Sequence, residues 1–152
     1  MRVVALAATV VVSVAFAGAV GGASKQTAAE ARYAREVQAW CDRWWTAYAG
    51  LGEPETMAEW ASWLVRADPL VAEQEREFAK LAPPVSYRDE AARIRAHMTD
   101  EKPITRGMLA AARRGDERTF ERLVASLEPS AREWNVAMRR IGALGCAAGP
   151  AG

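Results

Sequence analysis

From residue 27 onward the apolar side chains recur at intervals of three and four and never alternate over a useful length. That period lays them along one stripe of a helix, whereas a half-buried strand needs a period of two, so the folded part reads as helical throughout. Thr27-Ala28-Ala29-Glu30 has the form of a capping box and opens a first helix. Its stripe is Tyr33, Val37, Trp40 and Trp44, flanked by Cys41, Trp45 and Tyr48. Gly50 and Gly52 offer a left-handed terminator, and Pro54 stops continuation. A second capping box, Thr56-Met57-Ala58-Glu59, leads into Met57, Trp60, Leu64, Ala67, Val71, Gln74, Phe78 and Leu81, with Gln74 the one polar interruption. After Pro83-Pro84 a third and less apolar seam runs through Tyr87, Ala91, Ile94, Met98, Glu101, Thr105, Met108 and Ala112. Gly115-Asp116 passes from a C-terminal cap straight into an N-terminal cap, a tight helical hairpin. The fourth seam is Phe120, Val124, Leu127, Ala131, Trp134, Met138 and Ile141. Four amphipathic helices with short connections favour antiparallel neighbours. The expected fold is therefore all-α, an up-down-up-down four-helix bundle with proline-kinked helices, following an N-terminal signal or anchor segment.

Pro69, Pro103 and Pro129 fall inside these helices. Each removes a backbone hydrogen bond and crowds the carbonyl four residues back, so each kinks or splits its helix. Asp68 before Pro69 can cap a fresh helix, which places a true break there. Kinks at similar heights would bow the bundle around a cavity for a ligand, although shaping of the packing is the commoner outcome.

The N-terminal segment sets the compartment. Arg2, an apolar run from Val3 to Val14, and the small-residue sites Ala15-Phe16-Ala17 and Ala17-Gly18-Ala19 have the pattern of a signal peptide. The uncharged stretch runs on to Ala23, long enough at about 1.5 Å per residue to cross a hydrocarbon core as an uncleaved anchor. Residues 1–23 are thus read as signal peptide or membrane anchor and residues 24–152 as one helical domain. Either fate makes the chain extracytoplasmic, secreted or held at the cell envelope. In that oxidising setting the only cysteines, Cys41 and Cys146, read as one disulfide joining the first helix to the last, the alternative being two unpaired buried thiols. Cys41 lies in the middle to later part of its helix and Cys146 at or past the end of the fourth. Simple antiparallel packing brings them together only if the first helix begins well before the bundle.

With Arg2 set aside the chain holds 19 basic and 19 acidic residues, interspersed, which does not resemble a nucleic-acid footprint. His97 is the single histidine, and the residue three before it is Ile94, so the Glu-x-x-His pattern of bundle di-metal sites is missing. No cysteine pair has the spacing of haem attachment. No cofactor and no metal are expected, and His97 is given no catalytic part. Glu73, Glu75 and Glu77 alternate around their helix and read as a solvated face. The six tryptophans are mostly core at this spacing; Trp45 and Trp63 sit off the central stripes and form the candidate ligand or partner surface, exposed together at one end.

The chain resembles a group of uncharacterised exported, lipoprotein-like four-helix proteins of high-GC Gram-positive bacteria. The resemblance rests on Cys41 after an alanine-rich helix start, Leu81-Ala82-Pro83-Pro84 ending the second helix, Gly115-Asp116 before the fourth, and Asn135 through Leu144-Gly145 leading to Cys146. The chain departs from that group in having Cys146 directly after Gly145 and no lipidation cysteine in the leader. The resemblance implies a fold and a compartment and no activity. The expectation is a non-enzymatic extracytoplasmic module that binds a protein partner or an apolar small ligand. The alternative is a carboxylate-dependent enzyme of the cell envelope built on Glu101, near Thr105 on the same face. Burial of Glu101 beside a second acid would favour catalysis; exposure or pairing with arginine would remove it.

Overall fold

The computed structural model describes residues 26–148, all-helical apart from turns. The leader expected over residues 1–23 lies outside the described residues. Both capping boxes form. Thr27 accepts from the Glu30 N–H at 3.2 Å while the Thr27 N–H donates to Glu30 Oε2 at 2.7 Å, starting α1 (Ala28–Ala49). Thr56 and Glu59 repeat the exchange at the start of α2 (Met57–Lys80). In each, two backbone donors that a helix start leaves orphaned find acceptors. A 3-10 turn, Val85–Tyr87, leads into α3 (Arg88–Arg114), and Asp116 caps α4 (Glu117–Ala125) by accepting from the Thr119 N–H at 3.1 Å. Then come α5 (Glu128–Ile141) and the short α6 (Leu144–Ala148). Among the described residues no helix is long and apolar enough to cross a membrane.

The prolines act differently from expectation. α2 runs unbroken through Pro69 and α3 through Pro103, so the break expected at Asp68-Pro69 does not occur. Both prolines are exposed, as are Val65 and Thr99, whose carbonyls lose their helical donors and can be taken by water. The break comes instead near Pro129. Ser126 and Leu127 keep right-handed helical angles, but the Ser126 N–H is shared between the Arg122 and Leu123 carbonyls and the Leu127 N–H bonds back only three residues, to the Val124 carbonyl. Pro129 then occupies the first turn of α5, where its missing N–H costs nothing. The expected fourth helix is thereby two, and its inward line shifts. Val124 and Ala131 are exposed, and the residues turned inward are Phe120, Leu123, Leu127, Ser130, Trp134, Ala137, Met138 and Ile141.

The end of the chain resolves the cysteine register. Gly142, at φ 91°, ends α5 in the left-handed conformation, and the chain folds back as α6 against α1. The Gly145 N–H donates to Gln38 Oε1 at 3.0 Å, and a Cβ at Gly145 would run into that amide. Cys146 is thus carried alongside the middle of α1, where it is joined to Cys41 with 5.6 Å between the Cα atoms. It is the reversal after α5, not an early start of α1, that brings the sulfurs together.

Two buried clusters result. The larger surrounds the disulfide: Tyr33, Val37, Trp40, Phe78, Ile94, Trp134, Met138 and Ile141, with Cys41 and Cys146. The smaller, Leu64, Met108, Ala111, Ala112 and Phe120, lies where the first half of α2 meets the second half of α3 and α4, with Trp60 and Trp63 at its margin.

Candidate functional site

A run of indoles crosses the larger cluster. Trp40 stacks on Trp44, with centroids 5.8 Å apart and planes at 29°, and Trp44 stacks on Trp45 at 4.9 Å and 21°. Trp40 and Trp44 meet because residues four apart are neighbours on a helix surface, whereas Trp45 is adjacent in sequence and reaches Trp44 across that surface. Trp134 of α5 meets Trp44 edge-on, 5.8 Å away at 60°, and donates its N–H to the Cys146 carbonyl at 3.3 Å. The Trp45 N–H is buried without a hydrogen-bond partner; the Trp44 N–H approaches the Tyr48 hydroxyl without meeting hydrogen-bond geometry. These indoles are held by stacking and burial, worth about 0.5–1.5 kcal/mol per aromatic pair beyond the area removed from water.

Beside this stack opens a cleft of about 350 Å³, lined by Trp44, Trp45, His97, Glu101, Trp134 and Asn135, with Ala131, Cys146 and Ala147 completing the wall. Cys146, one half of the disulfide, is thus part of its lining. α3 contributes two polar side chains one turn apart. His97 Nε2 lies 3.3 Å from Glu101 Oε1, and His97 Nδ1 is hydrogen-bonded to Ser130 Oγ. The imidazole also packs on Trp134 at 4.8 Å. Burial pushes the His97 pKa below its ordinary value and pushes Glu101 up to about 7. Both shifts favour the neutral forms, as expected when ionisable groups leave water. Below about pH 7 the carboxyl keeps its proton and can donate to the imidazole; above it, the anion can accept from it.

The two tryptophans singled out from the sequence lie in different places. Trp45 lines this cleft. Trp63 lines a second, more polar depression of about 440 Å³ at the α1–α2 turn, with Leu51, Glu53, Glu59 and Arg66. There its N–H donates to the Gly52 carbonyl at 2.9 Å and Arg66 donates to the Leu51 carbonyl at 3.1 Å, so both side chains pin the turn. Trp44 and Tyr48 stand between the two: Tyr48 is 5.3 Å from Trp44 and 5.4 Å from Trp63. Both tryptophans are half-buried. Cys41 and Cys146 are joined as described. Glu101 has 30 % of its side chain exposed, and its ion-pair partner is His97, so it meets neither of the two arrangements set out for it from the sequence.

Sequence reasoning missed Ser130 and Asn135 and gave His97 no part. A path of alternating three- and four-residue steps through Leu123, Ser130 and Ala137 would have placed Ser130 inward, opposite α3. Glu75 was likewise read as solvated; it is half-buried and accepts from Lys102 at 2.6 Å across the α2–α3 interface. Among the described residues no group of three His, Cys, Asp or Glu side chains is placed to hold a metal ion. No family model, curated protein or solved structure matches the chain.

Proposed function

We propose that this chain is an extracytoplasmic, non-enzymatic helical module that binds a small ligand with an apolar body in the cleft beside Trp45. The proposal includes a signal peptide or anchor over residues 1–23 and an up-down-up-down arrangement of α1, α2, α3 and the α4–α5 pair. It also keeps the kinship with exported high-GC Gram-positive proteins that the sequence resembles. The observation that carries it is a cleft walled by indoles with one acid–imidazole pair at its side. Apolar walls with a few convergent polar groups are the usual composition of small-molecule sites. A protein partner is less well supported, because the exposed large hydrophobics Val65, Val85, Val124, Val136 and Leu144 are aliphatic and leave the aromatic side chains within the body. The disulfide agrees with an oxidising compartment.

Native mass spectrometry of the full chain purified from its host's cell envelope tests this reading. The expected result is a small-molecule adduct that survives gentle desolvation and is lost in Trp45→Ala. A bare chain from both proteins would count against ligand binding.

One observation favours the alternative of a carboxylate-dependent enzyme. His97 is hydrogen-bonded to Ser130 on one ring nitrogen and has Glu101 3.3 Å from the other, with Glu101 poised near neutral pH. Ser130 is not among the cleft-lining residues, so its hydroxyl is poorly placed to meet a substrate there. Turnover of any substrate that disappears in Glu101→Gln while binding persists would shift the assignment to catalysis.

A further inference from the structure

The chemical class of ligand follows from how the cleft disposes its faces and its charge, and this step rests on the ligand-binding reading above. The Trp40–Trp44–Trp45 stack ends at Trp45, whose far side has no aromatic neighbour among the described residues and which lines the cleft. Trp134 stands at a steep angle to that stack. Trp45 and Trp134 both line the cleft together with Glu101, which has no lysine or arginine as its ion-pair partner. The charged groups that act on the neighbouring His97 and Tyr48 are acidic. Asp100 on α3 and Glu133 on α5 act on His97, and Asp68 on α2 acts together with Glu101 on the Tyr48 hydroxyl of α1. An indole face is electron-rich and attracts cations, while anions and bare carbonyl groups gain nothing from it.

We propose that the cleft binds a small organic cation, an alkylated ammonium group seated against the cleft-lining side of Trp45 with Glu101 as its counter-charge. Binding then requires the carboxylate. A cation entering while Glu101 is protonated displaces that proton to solvent, so one proton is released for each cation bound. Protonation of His97 would place a second positive charge beside the ligand, which weakens binding further on the acid side. Affinity for such a cation should rise about ten-fold between pH 6 and pH 8, following ionisation of a carboxyl with a pKa of about 7.

The test is calorimetric titration of the full oxidised chain with choline and with its neutral carbon isostere, 3,3-dimethylbutan-1-ol, at both pH values. Choline is expected to bind about ten-fold or more tightly than the isostere at pH 8. Proton release should appear as a dependence of the measured heat on the buffer. Glu101→Gln should abolish the pH dependence of choline binding and weaken choline about ten-fold more than the isostere, and Trp45→Leu should weaken both probes. Equal affinity for the two probes, or choline binding indifferent to Glu101→Gln, overturns the cation assignment and leaves the cleft as a neutral-ligand site. Absence of binding by either probe also overturns it, and the adduct measured on envelope-derived protein then decides separately whether the cleft binds any ligand.

Discussion

The two ends of this molecule are built by different means. At one end a covalent link, an indole stack and the fully buried Tyr33, Phe78, Ile94, Met138 and Ile141 converge from five of the six helices. At the other, Leu64, Met108 and Phe120 close over Ala111 and Ala112, small residues that let α2, α3 and α4 approach without a tie. The second is an ordinary helix-packing core. The first carries polar and ionisable groups at its margin, His97, Glu101 and Ser130, in a place where an apolar side chain would add more stability. The disulfide at that end offsets part of this cost.

That contrast can be broken, beginning with the covalent link. The Cys41–Cys146 bond closes a separation of 105 residues, and the paired substitution Cys41→Ala, Cys146→Ala is expected to lower unfolding free energy by about 4 kcal/mol in denaturant titration. A loss near zero would mean that the two ends are held alike. Next, Phe78→Ala, in the cross-linked cluster with no exposed surface, should cost about 4 kcal/mol, while Leu64→Ala in the smaller core should cost about 2–3 kcal/mol. The order of the two is the point of the measurement; reversal would make the smaller core the stronger one.

A weaker difference between the ends is electrostatic and confined to the cleft. Glu101 has its folded pKa raised from 4.5 to about 7, so the stability that its neutral form contributes is fully present below pH 4.5 and is lost as pH rises through 7. His97 has its folded pKa lowered from 6.5, so its contribution is present above pH 6.5 and is lost as pH falls through the lower folded value. Glu101→Gln should remove the alkaline loss, about 1 kcal/mol after allowing for the exposed third of the side chain, and leave the His97 limb in place. Unfolding curves from pH 4 to 8 report both limbs. Helix capping should not distinguish the ends at all. Thr27→Ala and Thr56→Ala each remove one N-terminal cap and should each cost about 1 kcal/mol in thermal melts, because capping is local to the first turn.

Much of the fold could be read in advance because helix signals are local. The capping boxes at Thr27 and Thr56, the Gly115-Asp116 hairpin and the buried stripe of α1 all depend on residues within a turn of one another. The cysteine pairing followed from there being two thiols behind an apolar leader. What escaped was decided by solvent and by tertiary geometry. Pro69 and Pro103 leave their helices intact because they face water, and Pro129 marks a break because Ser126 and Leu127 already tighten the chain before it. The fourth seam was off by one residue at two places, Val124 for Leu123 and Ala131 for Ser130, and with the second went the partner of His97. Trp45 and Trp63 were both picked out as off-stripe aromatics, but periodicity along a helix says nothing of which neighbour fills the space beside it. Only the packed structure sets Trp45 against an acid and Trp63 against a turn.

The central claim is that an oxidised Cys41–Cys146 link builds the end of the molecule that holds the cleft. The direct test is the intact mass of the full chain from its native host, denatured in the presence of a thiol-alkylating reagent, with and without prior reduction. We predict no alkyl group before reduction and two after it; alkylation of either cysteine in the unreduced protein would contradict the claim.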